Sequence, residues 1–371
     1  MNILALNWQD IKNPFAGGAE VHFHEIFKRI AAKGHKVTLL CCSFKDAPAE
    51  ENIDGIRVIR AGQRNLFNFK VHSLYKQITK KEKFDIVIDD INKIPFYTPL
   101  YVKEPLLAIS HHFFGKSIYR ESDVFSGTYV YISEWLMNFV YKKTPFTVVS
   151  QSTLEEFKHK GFDTSNFTII YNAIDQDIFH FTVKNKNPEP TVTYFGRLKK
   201  YKSVDHLFHA FAKVHKTIPN AKLNILGRGD FREYLEKLAV ELGIDKNVKF
   251  FGFVDENTKQ IELTKSYCVV NTSLKEGWGI TNIEANACGT PVISANSPGL
   301  RDSVKDGVSG TLYEYGNIDQ LAEHITKIFT DEEYRNKLST GAIEWAKNFS
   351  WDKSADEMLN KCIEVINNKN K

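Results

Sequence analysis

Short runs of consecutive apolar residues alternate along the chain with longer segments in which apolar residues recur every three or four positions. The short runs predict buried strands, and the longer segments predict amphipathic helices. Strands of this kind separated by helices are typical of a parallel sheet covered on both faces. The predicted strands cover residues 3–6, 37–42, 86–88, 106–110, 147–150, 191–195, 222–226, 249–251, 267–271 and 291–294. The predicted helices include residues 19–33, 204–216, 234–242 and 351–366.

The alternation pauses between residues 171 and 190, where the polar stretch Lys-Asn-Lys-Asn-Pro-Glu-Pro occupies positions 184–190. Strands and helices resume after it, so we predict two α/β domains, each a doubly wound parallel sheet of the Rossmann type. The first domain is expected to cover 1–175 and the second 176–351. Ligands of open α/β sheets bind beyond the carboxyl ends of the strands, so residues that follow a predicted strand are candidate site residues.

Two glutamates, Glu276 and Glu284, lie eight positions apart after one of these strands. We expect Glu276 on a loop and Glu284 about one turn inside the helix that follows, so that both carboxylates reach one ligand. Gly279, Ile280 and Thr281 would begin that helix, where free backbone N–H groups and the positive dipole end form an anion site. A sugar nucleotide needs acceptors for its hydroxyls and donors for its diphosphate. A solvated helix face has the same spacing, so the flanking residues must decide.

The flanking run at 276–293 reads Glu-Gly-Trp-Gly-Ile-Thr-Asn-Ile-Glu-Ala-Asn-Ala-Cys-Gly-Thr-Pro-Val-Ile. It resembles the signature of the family 4 retaining glycosyltransferases of the GT-B fold, although Trp278 stands where phenylalanine is more usual. The resemblance implies two Rossmann-like domains facing a central cleft, the first binding the acceptor and the second binding the nucleotide-sugar donor. It also implies that the last helix, about 352–371, packs back on the first domain.

Two other loops match motifs of this family. Gly17 and Gly18 lie in the run Asn-Pro-Phe-Ala-Gly-Gly-Ala-Glu after the first strand, and the resemblance places this loop over the donor diphosphate. Arg197 and Lys202 follow the first strand of the second domain in a Gly-Arg-Leu-x-x-x-Lys pattern that resembles the diphosphate-binding element. Cations placed there would stabilise the charge that builds on the leaving phosphate. The plain alternatives are a simple turn at Gly17 and Gly18 and a pair of solvated bases at Arg197 and Lys202.

The remaining candidates rest mainly on the resemblance. His111 and His112 follow another strand of the first domain, where family members carry a histidine at the donor sugar, and we prefer His111 because it comes first. Gly227 and Val254 end two strands in loops that lie beside the nucleotide base in this family. We therefore expect His111, Glu276, Arg197 and Lys202 to be catalytic and the other candidates to bind substrate.

Composition changes this picture little. The chain has 371 residues and a net charge of +4, with the whole basic excess in residues 1–170, which is too mild for a nucleic-acid partner. Five cysteines without a metal-binding pattern, and a start without a charged leader, lead us to expect a cytoplasmic protein. The basic tract 76–83 is either a solvated helix end or a peripheral contact with an anionic membrane. No D-x-D pair follows a strand, although Asp89 and Asp90 do, and we expect no cofactor and no metal.

We therefore predict a retaining glycosyltransferase. It would move a hexosyl group from a UDP- or GDP-sugar to a hydroxyl of a glycan, lipid-linked or small-molecule acceptor, in cell-envelope polysaccharide or glycolipid synthesis. Three alternatives remain open: a nucleotide-sugar 2-epimerase on the same scaffold, a phosphorylase-like enzyme, and a non-catalytic nucleotide-sugar-binding subunit of a synthase.

Overall fold

The computed structural model describes residues 1–92, 94–120, 122–181 and 186–369. The chain divides into two compact units. Unit 1 consists of Met1–Asn172 together with Trp351–Lys371, and unit 2 consists of Ala173–Ser350. Residues 182–185, which include the first two positions of the polar stretch at 184–190, lie outside the described residues.

Unit 1 is built on one sheet with helices between its strands. Its elements before residue 172 are β1 (Asn2–Leu6), α1 (Gly18–Ala32), β2 (Lys36–Ser43), β3 (Glu50–Ile53), β4 (Ile56–Gln63), α2 (Phe67–Thr79), β5 (Ile86–Ile91), β6 (Leu106–Ser110), α3 (Val124–Val140), β7 (Phe146–Val148), α4 (Gln151–His159) and β8 (Phe167–Ile169). The strand order is β3-β4-β2-β1-β5-β6-β7-β8, and every described pairing except β3–β4 is parallel. Strands β1 and β5 lie in the middle of the sheet and contain consecutive apolar residues. A strand that is covered on both faces of the sheet needs apolar side chains on both faces.

The antiparallel edge of this sheet was not predicted. Strands β3 and β4 form a hairpin joined by Asp54 and Gly55, both of which have positive φ angles, +49° and +86°. Two left-handed residues in a two-residue turn match the twist of the strands, and Asp-Gly is a sequence signal for such a hairpin. The strands on either side of this turn are half exposed and carry many polar residues, so they lack the continuous apolar run by which the other strands are predicted.

Two predicted strand ends in unit 1 were wrong. The strand predicted at 147–150 ends at Val148, because the Ser150 hydroxyl accepts a hydrogen bond from the Thr153 amide at 3.1 Å and caps α4. The strand predicted at 86–88 continues to Ile91 as β5. Asp89 and Asp90 therefore lie inside the strand and do not follow it.

Unit 2 repeats the same alternation with shorter loops. Its elements are β9 (Thr191–Phe195), α5 (Val204–Thr217), β10 (Lys222–Leu226), α6 (Arg232–Glu241), β11 (Val248–Gly252), α7 (Glu256–Lys265), β12 (Cys268–Asn271), α8 (Ile280–Ala287), β13 (Val292–Ala295), β14 (Gly310–Tyr313), α9 (Ile318–Thr330) and α10 (Glu332–Ala346). The sheet has the order β11-β10-β9-β12-β13-β14 and is parallel throughout. Helices α5 and α9 contribute Phe211 and Ile325 to its buried core.

The last helix, α11 (Trp351–Lys369), belongs to unit 1. It packs along α1, where Arg29 Nε donates to Asp352 Oδ1 at 2.8 Å, and the Ser354 hydroxyl donates to the Tyr171 carbonyl at 2.9 Å. Within the described ranges, no helix combines the length and the apolar composition that crossing a membrane would require.

Candidate functional site

The signature segment folds as a loop followed by α8, with Glu276 on the loop and Glu284 one turn inside the helix, as predicted. Gly279 precedes the helix with φ +78°. A Cβ there would lie 2.8 Å from both Leu300 Cδ2 and Ser303 Oγ, so this turn requires glycine. Gly279 offers no side-chain cap, and the first turn at Ile280 and Thr281 keeps the donor character expected of an anion site.

Glu284 forms a buried pair with a lysine that the sequence analysis did not identify. Lys259 Nζ on α7 donates to Glu284 Oε1 at 3.0 Å and also contacts Glu256 Oε2 at 2.6 Å. Glu284 is 7% exposed and Lys259 only 4%. The second carboxylate oxygen of Glu284, Oε2, is buried and has no hydrogen-bond partner among the described residues. A buried acceptor without a donor is costly, so this atom is suited to a donor supplied by a ligand.

Burial raises the pKa of Glu284, and the neighbouring Lys259 offsets only part of that effect. Burial also disfavours the charged form of Lys259. The carboxylates of Glu284 and Glu256 have a larger effect than burial, so the pKa of Lys259 is raised. The ammonium group lies 4.5 Å from the ring centre of Phe179 and 4.6 Å from that of Phe195, the last residue of β9. The pair therefore lies beside the loop that carries Arg197.

Glu276 and Lys202 are joined directly by an ion pair between Glu276 Oε1 and Lys202 Nζ. Burial alone would lower the pKa of Lys202. The Glu276 carboxylate and the phenol groups of Tyr201 and Tyr194 have the larger effect, so the pKa of Lys202 is raised and the lysine is held as a cation. Two backbone contacts fix this arrangement. The Leu274 amide donates to the Tyr201 carbonyl at 3.1 Å, and the Thr272 hydroxyl donates to the Lys202 carbonyl at 2.7 Å.

Arg197 lies on the exposed side of the same loop. Its Nη2 donates to the Tyr201 hydroxyl at 3.2 Å, while Lys202 Nζ lies 5.3 Å from the centre of the Tyr201 ring. Tyr201 therefore contacts both predicted phosphate-binding cations, although no motif in the sequence singles it out. Lys199, on the same loop, pairs with Asp230 at 2.6 Å in an exposed position.

Backbone packing explains why glycine occupies position 227. Its φ is +140°, and a Cβ at this residue would lie 1.9 Å from the Gly196 carbonyl oxygen. The loops after β9 and β10 therefore pack backbone against backbone, which requires glycine whether or not a ligand binds. Val254 is half buried between the end of β11 and the cap of α7, and its contact with a base stays a prediction.

Trp278 of the signature is buried and packs on Phe349 with ring centres 5.2 Å apart. This position therefore lies in the buried interior of unit 2.

In unit 1, α1 begins at Gly18 with Gly17 directly before it. The Gly17 amide donates to Glu20 Oε2 at 2.7 Å, while Gln9 and Asn92 donate to Glu20 Oε1 at 3.1 and 2.9 Å. Burial raises the pKa of Glu20, although the hydrogen bonds from Gly17 and Gln9 lower it in part. A Cβ on Gly18 would meet no described atom within 4 Å, so the space above this residue is open.

His111 is buried at the end of β6 and bonded to a carboxylate on the neighbouring strand. Its Nε2 lies 2.8 Å from Asp90 Oδ1, and the Asn7 side chain donates to Asp90 Oδ2 at 2.7 Å. The His22 ring stands edge-on to His111 with centres 5.2 Å apart, and burial lowers the pKa of His22 well below its ordinary value. His112 is half buried, and its ring contacts that of Phe114 at 4.5 Å.

Sequence reasoning missed Lys259, Tyr201, Glu20 and Asp90 as members of these arrangements. Asp90 could have been found, because β5 and β6 were predicted as consecutive parallel strands, and Asp90 lies one residue before the end of β5 while His111 directly follows β6. Within the described ranges, no group of three or more His, Cys, Asp or Glu side chains is arranged to hold a metal ion.

Solved structures with the same architecture identify the fold. Sucrose-phosphate synthase from Thermosynechococcus elongatus superposes with a TM-score of 0.80 at 20% identity, covering 97% of this chain and 98% of that one. The Anabaena protein HepE, solved in complex with UDP and glucose, superposes with a TM-score of 0.74 at 19% identity, covering 97% and 98%. The fold is therefore GT-B, the fold of a large class of glycosyltransferases.

Family models identify the chain more closely. The model described as Glycosyltransferase Family 4 matches residues 16–178, and the model described as Glycosyl transferases group 1 matches residues 175–345. The chain belongs to the family 4, group 1 glycosyltransferases.

Two relatives illustrate the range of similarity. The chain is 28% identical to an uncharacterized glycosyltransferase of Methanocaldococcus jannaschii, and the match covers 97% of both chains. It is 29% identical to the poly(glycerol-phosphate) alpha-glucosyltransferase of Bacillus subtilis over 58% of this chain and 32% of that protein.

Proposed function

We propose that the protein transfers a hexosyl group from a nucleoside diphosphate sugar, a UDP- or GDP-sugar, to an acceptor hydroxyl with retention of anomeric configuration. The observation that carries the donor assignment is the buried, unpartnered Oε2 of Glu284, beside the loop of Arg197 and Lys202. A ribose or sugar hydroxyl would supply the missing donor, and the two cations would bind the diphosphate. The UDP in the HepE structure supports this choice of ligand.

The residues have distinct roles in this proposal. Arg197 and Lys202 stabilise the charge that develops on the leaving diphosphate, and the N-terminus of α8 adds backbone donors. Glu276 already holds Lys202 and therefore orients that cation in addition to accepting a bond from the sugar. His111, fixed by Asp90, bonds to the reacting sugar. The open space above Gly18 leaves room for a phosphate close to the backbone.

In the proposed step, the bond from the anomeric carbon to the diphosphate oxygen breaks, and a bond to the acceptor oxygen forms on the same face of the sugar. The acceptor proton passes to the leaving diphosphate oxygen, so no enzyme base is needed. Glu276 and Glu284 are not proposed as nucleophiles, because each already has a cationic partner. Metal independence is part of the proposal.

We propose an acceptor in cell-envelope polysaccharide or glycolipid synthesis, reached at the cytoplasmic face of the membrane. The name of the Bacillus subtilis relative, a poly(glycerol-phosphate) alpha-glucosyltransferase, supports an envelope polymer as one acceptor class. The basic tract at 76–83, which includes the end of α2, remains a candidate contact with an anionic membrane surface.

Isothermal titration in the presence of EDTA tests the donor assignment. The purified protein is titrated with UDP-glucose, GDP-mannose and ADP-glucose, and we expect one base to bind clearly more tightly than the others. Failure of all three to bind a folded sample would contradict the proposed donor site. Proton NMR of the bound donor without acceptor separates the alternatives, because an epimerase would invert the sugar at C2 whereas a transferase would leave it intact or hydrolyse it.

A further inference from the structure

Helix α3 of unit 1 presents a continuous apolar surface to solvent. We define the α3 face as six exposed residues of this helix: Phe125, Tyr129, Ile132, Trp135, Leu136 and Phe139. Phe125 is 89% exposed and Phe139 is 63% exposed. At about 100° per residue, Phe125, Ile132, Leu136 and Phe139 fall within an arc of about 60°. Isolated exposed apolar residues are ordinary, but a contiguous stripe marks an interaction surface.

The opposite side of α3 fixes the helix in this orientation. Val130 and Met137 are buried against the rest of unit 1. Glu134, also buried, accepts hydrogen bonds from the Phe114 amide at 2.6 Å and the Gly115 amide at 2.8 Å. Rotating the helix to hide its outer face would expose Val130 and Met137 and break both bonds. The described residues of unit 1 therefore leave the α3 face uncovered.

The composition of the helix fits a bilayer interface. Glu134 is the only Asp, Glu, Lys or Arg in Val124–Val140, and its carboxylate accepts hydrogen bonds from backbone amides on the inner side. Tyr129 and Trp135 combine an apolar ring with a polar atom, which suits the boundary between headgroups and acyl chains. The helix has 17 residues, and its inner side is bound to the unit, so it would lie in the plane of the interface.

Exposed bases surround the α3 face. Lys116 precedes the helix, and Lys142 and Lys143 follow it directly. The start of α2 adjoins it, because Asn68 Nδ2 donates to the Tyr129 hydroxyl at 2.7 Å. This places exposed Lys70 nearby. Asp123, the acid at the start of α3, is occupied as its cap by the amides of Phe125 and Ser126 at 3.0 Å. A basic rim around an apolar centre is complementary to anionic lipid.

We propose that the α3 face docks on the surface of a lipid bilayer that contains anionic phospholipid, with its aromatic side chains inserted among the headgroups. The inference deepens the membrane contact of the proposed function and moves its apolar anchor to α3. The docking is tested without donor or acceptor. If docking fails, the donor assignment is unaffected, and if the donor titration fails, the docking proposal is unaffected.

Vesicle co-sedimentation of the full chain tests the docking. Vesicles of phosphatidylcholine containing about one third phosphatidylglycerol are compared with phosphatidylcholine alone, and we expect tighter binding to the anionic vesicles. The triple variant Phe125→Ser/Ile132→Ser/Phe139→Ser should bind at least about tenfold more weakly, because three apolar side chains no longer leave water. Val240→Ser on α6 removes an apolar residue of unit 2 that is about as exposed as Phe139, and this variant should bind as the unchanged protein does.

Trp135 gives a second readout that does not depend on a disruptive variant. It is the most exposed tryptophan in the described ranges, so its emission should shift to the blue on anionic vesicles. Trp135→Phe should keep vesicle binding and lose most of that shift. Failure of the unchanged protein to sediment, or equal binding by the triple variant, would overturn the proposal. A change from dimer to monomer in the triple variant, with vesicle binding unaltered, would assign the face to a second copy of the chain instead.

Discussion

Glu284 offers a sharp test of the donor site, because its two carboxylate oxygens do different things. Oε1 holds Lys259 at 3.0 Å, while Oε2 is buried without a partner. Glu284→Ala removes both acceptors, and Glu284→Gln keeps the shape and one neutral acceptor. A hydrogen bond to a charged group contributes about 1.5–3 kcal/mol. The alanine variant should therefore bind the preferred nucleotide sugar about 10- to 150-fold more weakly, and the glutamine variant should lie between it and the unchanged protein.

The same substitutions affect the fold through Lys259. Removing one partner of a fully buried ion pair typically costs about 3–5 kcal/mol. Lys259 keeps a contact with Glu256 Oε2 at 2.6 Å and lies over two aromatic rings, so we expect a smaller loss here. Thermal unfolding of each variant measures this loss separately from affinity. Lys259→Met combined with Glu284→Gln removes both charges and should recover most of the lost stability without recovering binding.

Glu256→Gln provides the matched control. Glu256 shares Lys259 with Glu284, but its side chain is 58% exposed, so it has no buried acceptor to offer a ligand. Isothermal titration should give this variant a donor affinity within about twofold of the unchanged protein. A folded Glu284→Ala variant with unaltered affinity would refute the assignment of Oε2 to a donor hydroxyl. Equal losses of donor affinity in Glu256→Gln and Glu284→Gln would show that both carboxylates act through Lys259. The free Oε2 of Glu284 would then have no part in donor binding.

Two further predictions concern unit 1. His111→Ala should lower turnover about tenfold or more while leaving nucleotide affinity nearly unchanged, since one hydrogen bond to the reacting sugar is lost. Asp90→Asn should act in the same direction by disturbing the orientation of His111, and a larger effect of His112→Ala on turnover in steady-state assays would reverse the choice between the two histidines. Burial raises the pKa of Asp89 from its ordinary 3.8 to about 7, although Thr98 and Tyr141 donate to it. The folded state then holds a proton that the unfolded chain releases, so the free energy of unfolding should fall by about 3 kcal/mol from pH 5 to pH 8. Asp89→Asn should abolish that part of the fall, and urea titrations showing the same pH dependence in both proteins would contradict it.

The strands could be predicted because their signal is local. The runs at 106–110, 191–195 and 222–226 match β6, β9 and β10 to the residue, since apolar and β-branched residues make up most of each short run and turns bound it. The signal fails where a polar residue competes. Ser150 extends an apolar run, but its hydroxyl takes the Thr153 amide and starts a helix.

The candidate site was harder to predict, because its partners come from different elements. Glu284 and Lys259 lie on separate helices 25 positions apart, and neither helix carries a pattern that points to the other. The pairing of Glu276 with Lys202 joins loops that follow β12 and β9, which are neighbours in the sheet although they are distant in sequence. Only the order of strands in space brings such residues together, and apolar periodicity does not encode that order.

The glycines separate the requirements of the fold from those of a ligand. A Cβ on Gly227 would strike the Gly196 carbonyl oxygen, and one on Gly279 would strike Leu300 and Ser303, so the packing of unit 2 alone explains why both are glycine. Gly18 is different, because its backbone is helical and a Cβ there would meet no described atom within 4 Å. Alanine would favour the helix by roughly 0.5–1 kcal/mol at such a position. The described residues give no packing reason for glycine here, so we expect a ligand to approach this backbone, and a phosphate of the proposed donor would use that space at the helix start.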